Sequence, residues 1–342
     1  MYLRNMLRGI LRLLPLLLAL WVPALSVDNQ ALASDLSGGI LPELEGSVRY
    51  RGVEGVILEG TGGHRFIVDG NGEHIKRFQG MPILPEAEMQ TFAQNLSGLK
   101  QSLDAKGIPL ILMFCTDKET IYPEYFPAVI TRGNEPLPID IVTDYVRGQT
   151  GIEVFNIRNA LLAAKANGYL VYDRVGVVHS LAHYNEYGAY FAYRDLMAHI
   201  SWKLYLAVQP LTLDKIDRYY ILPDIAPSNP SLQILEPVTF ERLGEEFFAA
   251  VPSPLAAAPD TAFRNEDASL PSLLLFRDSY GGSGDYITRY LPMHFRETVL
   301  LHWSNIQLFD AYVEHFQPDI VVIEVVEREI TTFYKSLLLK TQ

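Results

Sequence analysis

Two apolar patterns alternate along this chain. One is the continuous run: Ile108-Pro109-Leu110-Ile111-Leu112-Met113-Phe114, Leu273-Leu274-Leu275-Phe276 and Asp319-Ile320-Val321-Val322-Ile323-Glu324. Such runs have no polar face, which predicts strands covered on both sides. Ile152–Phe155 and Thr298–Leu301 read as two shorter strands. The other pattern is helical. Residues 85–106 open on Pro85 and stop before Gly107, and residues 160–166 stop at Asn167-Gly168. Tyr187–Val208 reads as a long aromatic helix and Ile306–Phe316 as another. Residues 46–80 are glycine-rich and alternate, as short strands and turns do. Strands alternating with helices predict an α/β fold with a parallel sheet covered on both faces.

Ligands of such sheets bind at the carboxyl ends of the strands. Thr116-Asp117-Lys118, Asp278-Ser279 and the residues from Glu324 onward fall at such ends. Residues 209–268 are rich in Pro, Asp and Ala and hold few clear elements, so they read as an insertion or an extended connection.

The N-terminus has a different character. Arg4, Arg8 and Arg12 precede an apolar run from Leu13 to Val27, with no acid before Asp28. This is the pattern of a secretory signal, cleaved or kept as an anchor, over residues 1–33. Residues 34–45 read as a flexible lead-in, and 46–335 as one domain. The formal charge of −12, about −15 once those arginines are removed, disfavours nucleic acid as a partner. The single cysteine, Cys115, excludes an internal disulfide and reads as a small core residue. No Cys/His cluster has metal-ligand spacing, and no metal or other cofactor is expected.

Candidate chemistry centres on Phe276-Arg277-Asp278-Ser279-Tyr280-Gly281-Gly282. An apolar strand running into Asp-Ser and two glycines would lift Ser279 to a sheet edge, where it is either a nucleophile or a solvated loop serine. The glycines would let N–H groups near Ser279 and Gly281 approach an oxyanion. A serine nucleophile needs a base, and His183 stands among polar residues just ahead of a helix. Alone, a histidine of this kind is more often structural than catalytic.

Four blocks carry a family resemblance. His183-Tyr184-Asn185-Glu186-Tyr187-Gly188-Ala189 resembles the Asp-x-His-Trp-Asn-x-x-Gly-Ala block of the alginate O-acetyltransferase family, the AlgX/AlgJ-like, DHHW-type SGNH hydrolase-like proteins. Phe276–Tyr280 resembles its Arg-Asp-Ser-Phe block, and Asp117–Glu124 its Pro-x-Lys-x-x-Val-Tyr-Pro-Glu segment, with Lys118 and Tyr122 matched. Pro318–Val322 with Val326-Glu327-Arg328 resembles its last strand and Glu-Arg ending. The blocks keep the family's order over about residues 50–330, and Gly55–Leu58 loosely resembles its opening.

The resemblance implies an SGNH-hydrolase-like α/β/α sandwich with a mostly parallel central sheet. It implies acetyl transfer or removal on a polysaccharide, outside the cytoplasm, with Ser279 as nucleophile and His183 as base. The partners it implies are a polysaccharide, an acetyl donor and a membrane-bound acyltransferase or export complex. One position departs from the pattern: where the family has Asp two residues before the histidine, this chain has Leu181. Leucine cannot accept the imidazole N–H, so the site is a dyad unless another group serves; Asp173 is the nearest upstream candidate, and His179 and Ser180 are poorer ones. A binding protein without catalysis is the rival reading.

Further residues each have two readings. Asp278 shapes the turn or is an ordinary turn aspartate; Arg277 attracts an acidic sugar or is solvated. Lys118 lines the cleft or, more in keeping with lysines generally, lies on the surface. Tyr184 replaces the family's Trp, and Asn185 holds the histidine loop or caps the helix starting at Glu186. Glu324, Glu327 and Arg328 could form an ion pair past the last strand, and a structural role for them is favoured.

Overall fold

A computed structural model describes residues 42–52, 55–68, 73–175, 181–205, 209–219, 231–235, 240–243, 259–282 and 287–340. The secretory segment expected over 1–33 lies outside the described residues, as does the lead-in up to residue 41. Among the described residues, no helix is long and apolar enough to cross a membrane.

The chain opens with β1 (Val48–Gly52), β2 (Gly55–Glu59), β3 (Arg65–Val68) and α1 (Glu73–Phe78). It continues with α2 (Glu86–Asp104), β4 (Leu110–Cys115), α3 (Lys118–Ile121), α4 (Pro138–Thr150), β5 (Glu153–Asn156) and α5 (Arg158–Ala166). Next come α6 (Glu186–Leu204), β6 (Ile216–Tyr219), β7 (Ser231–Ile234), β8 (Phe240–Arg242) and β9 (Pro259–Asn265). The last elements are β10 (Ser272–Arg277), β11 (Glu297–His302), α7 (Phe309–Phe316), β12 (Ile320–Val326) and α8 (Ile330–Lys340).

The central sheet runs β5-β4-β12-β10-β11-β9-β8. Its first five strands are parallel; β9 and β8 close the far edge antiparallel. Three of the parallel strands, β4, β12 and β10, are the continuous apolar runs, buried as their lack of a polar face demands. Alternate side chains divide between two cores. Ile111, Met113, Leu275 and Val322 face α5, α6 and the small β1–β2–β3 sheet. Leu112, Phe114, Leu274, Phe276 and Ile323 face α2, α4, α7 and α8. The result is an α/β fold of helices on both sides of a mostly parallel sheet. Cys115 is buried at the end of β4, as expected of a small core residue.

Several boundaries move. The pattern over 306–316 is two elements: a 3-10 turn at Trp303–Leu308, then α7. Glu324 lies inside β12, not past it. The described parts of 209–268 supply the ribbon β6–β7 and the edge strands β8 and β9. Helix α4 was legible in principle: Pro138 stands in its first turn, Gly151 ends it with φ 63°, and Ile139, Val142, Thr143 and Val146 make its buried stripe.

Candidate active site

Three parallel strands, β4, β12 and β10, end side by side, and the residues just past them build the site. Past β10, Asp278 stays extended and caps a 3-10 turn over Ser279–Gly281. Its Oδ1 accepts the Tyr280 N–H at 2.8 Å and its Oδ2 the Val326 N–H at 2.6 Å. Its own N–H donates to Glu324 Oε2 at 3.1 Å. One buried aspartate thus ties the serine turn to the end of β12, which is the shaping role read from sequence. Burial pushes the Glu324 carboxyl well above its usual range, and the Asp278 charge adds to the effect. Burial raises the Asp278 carboxyl as well, against the pull of the Val326 and Tyr280 N–H groups. Gly281 is needed here: a Cβ would lie 2.8 Å from Arg277 Cβ and 3.0 Å from Glu324 Oε2. Arg277 is half-buried and donates to the Asp278 carbonyl at 2.9 Å. Ser279 itself is exposed.

His183 reaches the serine from the other side. Its Nε2 lies 2.9 Å from Ser279 Oγ, although 96 residues separate them in sequence. The histidine loop is held from below. Asn185 accepts the Tyr187 and Gly188 N–H groups, each at 3.1 Å, and so caps α6. Its Nδ2 donates to the Leu170 carbonyl at 2.8 Å and to Asp173 Oδ1 at 3.1 Å. Both roles considered for Asn185 are therefore real. Gly188 allows the close approach, since a Cβ there would lie 2.4 Å from the Val171 carbonyl oxygen. Tyr184 is buried, and its hydroxyl donates to the Tyr280 carbonyl at 2.7 Å.

Two expectations need correction. Asp173 does not act on His183: among the described residues its carboxylate bonds Asn185. Burial lifts it to about 6, against the pull of Asn185 and Lys118. His179 and Ser180 lie outside the described residues. Leu181, at the family's Asp position, is fully buried. Lys118 is not a surface lysine. Its ammonium donates to the Arg65 and Asp173 carbonyls and lies 4.9 Å from the Phe66 ring centre. Burial pulls its pKa down to about 7. It ties β3 to the strand-like segment before the histidine loop, which no local sequence pattern announces.

Further residues complete the arrangement. The Tyr280 hydroxyl donates to the Ala182 carbonyl, and its ring lies 4.8 Å from that of His183. Arg328 pairs with Asp117 across the ends of β12 and β4, rather than with Glu324 or Glu327. Glu327 instead accepts the Asp117 N–H at 3.2 Å and the Thr120 hydroxyl at 2.8 Å. Among the described residues, His74, Asp117 and Glu119 bring three potential metal-ligand atoms within 4.8 Å of one another. Asp117 is held there by Arg328, and His74 Nδ1 lies 3.3 Å from Glu119 Oε1. The group lies buried beside a cavity of about 10 Å³.

A serine raised past the end of a parallel strand, against a histidine from the mouth of a neighbouring helix, is the arrangement of an SGNH hydrolase-like α/β protein. The sequence comparison is more specific. Residues 80–215 match the family described as SGNH hydrolase-like domain, acetyltransferase AlgX, so the resemblance carried by the two motifs inside that stretch holds. That stretch contains Lys118, Asp173 and His183 and ends ahead of Ser279. No curated protein matches the chain.

Among solved structures, a DHHW family protein from Eubacterium siraeum aligns with a TM-score of 0.56 at 12% identity, covering 85% of this chain and 96% of that one. Bacillus cereus PatB1, solved with a sulfonyl adduct, aligns with a TM-score of 0.50 at 13% identity, covering 71% and 90%. At these identities the likeness establishes the fold. The O-acetyltransferase domain of Pseudomonas putida AlgJ aligns at 0.47 and 17% identity, covering 82% and 98%.

Proposed function

We propose that this protein is an exported SGNH-like O-acetyltransferase or acetylesterase that acts on a polysaccharide through an acetyl-serine intermediate. The single observation that carries the reading is the 2.9 Å contact between His183 Nε2 and Ser279 Oγ, with the serine exposed to a substrate. Ser279 Oγ attacks the acetyl carbonyl of the donor while His183 Nε2 takes its proton. The tetrahedral intermediate collapses, and His183 returns the proton to the departing alcohol. A sugar hydroxyl or water then attacks the acetyl-serine, His183 takes that proton, and Ser279 Oγ is released and reprotonated. The N–H groups near Ser279 and Gly281 are the oxyanion donors in this scheme. The Tyr280 N–H is already engaged by Asp278. Arg277, beside the serine, suits an acidic sugar. The acetyl donor is supplied by a membrane-bound acyltransferase or export complex.

A second reading has its own observation. The family's acid position is a buried leucine, and Asp173 serves Asn185 instead. Loss of the acid lowers the rate of a serine protease by about 10⁴. On this reading the chain keeps the fold and binds an exopolysaccharide without turnover.

One experiment separates them. The purified protein is mixed with p-nitrophenyl acetate, beside Ser279→Ala and His183→Ala. A burst that requires both residues, with one acetyl group gained on the Ser279 peptide, supports the enzyme. Identical behaviour of the three proteins, with measurable saccharide affinity, supports the binding protein.

A further inference from the structure

Arg328 touches both neighbours of the dyad at once. Its Nη1 donates to the Ala182 carbonyl at 3.3 Å, the residue before His183. The same nitrogen donates to the Tyr280 hydroxyl at 3.1 Å, the residue after Ser279. The guanidinium carbon lies 4.9 Å from the Tyr280 ring centre. The Tyr280 hydroxyl in turn donates to the Ala182 carbonyl, closing a triangle. The arginine is itself anchored. Nη1 pairs with Asp117 Oδ1, and Arg77 Nη1 donates to the Arg328 carbonyl at 3.1 Å. Asp117 is buried, so the pair sits in a poorly screened setting where geometry is fixed.

This arrangement bears on the leucine at the family's acid position. In a triad the acid both orients the imidazole and stabilises its charged form. With leucine at 181, the orienting half of that task can be met from the backbone, by fixing the carbonyl that directly precedes the histidine.

We propose that Arg328, held by Asp117, is a positioning residue that fixes the Ala182 carbonyl and the Tyr280 ring and thereby sets the His183–Ser279 contact. The proposal rests on the acyl-enzyme reading for its effect on rate but not for its effect on geometry. The planar guanidinium lies over the Tyr280 ring while its Nη1 reaches the Ala182 carbonyl and the Tyr280 hydroxyl. Lysine would keep the charge beside Asp117, but it has no planar face to stack on Tyr280.

The test uses the full chain with Arg328→Lys, Tyr280→Phe and the double variant, because Arg328→Lys leaves Asp117 with a cation and protects folding. Acylation by p-nitrophenyl acetate should fall on the order of 10²-fold in each single variant, the scale expected of a misplacement near 1 Å, with little change in KM. The double variant should be no worse than the poorer single one, because both changes act through one carbonyl. The ring signals of His183 in NMR, assigned with His183→Asn, should shift or broaden in both variants. Parent-like rate and parent-like ring signals in the folded variants would overturn the positioning role and leave the acyl-enzyme reading standing. An unreactive parent whose ring signals still change in the variants would sink the acyl-enzyme reading and keep the positioning role.

Discussion

The hydroxyl of Tyr184 donates to the carbonyl of Tyr280 at 2.7 Å, so the residue after the candidate base is bonded to the residue after the candidate nucleophile. Both tyrosines are fully or almost fully buried, and their rings meet edge to face at 4.9 Å. Tyr184→Phe keeps the ring and leaves that carbonyl without this donor. We expect a loss of about 1–3 kcal/mol in denaturant unfolding, together with slower acylation of Ser279. Unchanged stability and rate would show that the bond contributes to neither.

Gly281 is boxed in by Arg277 and Glu324. The added methyl of Gly281→Ala must displace the turn or the carboxyl, at a cost of about 1–3 kcal/mol. The turn carries Ser279, so acylation should fall by more than the stability loss explains. A crystal structure of the variant with Ser279 Oγ unmoved would contradict this.

Glu327 makes stability depend on pH. Burial, with the Asp117 charge adding, pushes its carboxyl up to about 8 from 4.5. A raised acid binds its proton more tightly in the folded state. Its contribution therefore favours folding at low pH and is lost as pH climbs from about 4.5 through 8. Glu327→Gln can still accept from the Asp117 N–H and Thr120 and cannot ionise. The melting temperature of the variant, relative to the parent, should rise between pH 5 and about 8. A constant difference over that window would refute the assignment.

Lys118 has the opposite sign. Burial pulls it from 10.5 to about 7, so the unfolded chain binds more protons in that window and the parent gains stability as pH rises through it. Lys118→Met removes both the titration and the donor to the Arg65 and Asp173 carbonyls. The variant should be less stable by about 1–3 kcal/mol for each carbonyl left unpaired. The deficit should widen from pH 7 toward 10.

Much of this was legible along the chain. β4, β10 and β12 showed as unbroken apolar runs because strands covered on both faces leave no polar positions. The serine turn showed because Asp278 and Gly281 supply local chemistry, a capping carboxylate and a position without a side chain. The Asn185 cap and Gly188 are local for the same reason. Lys118 and Arg328 were not legible in this way. Their environments come from residues 55 and 211 positions away, and a charged side chain looks alike in sequence whether solvated or buried with partners.

The sequence by itself determined the alternating α/β order, the serine turn and the replacement of the family's acid by Leu181, since each depends on neighbours within a few residues. Only the tertiary structure decided that His183 meets Ser279, that Asp173 serves Asn185 instead, and that Arg328 pairs with Asp117 beneath the dyad. Those contacts arise where parallel strands distant in sequence end side by side. The pairing of buried polar groups there depends on register and burial, which no short stretch of chain encodes.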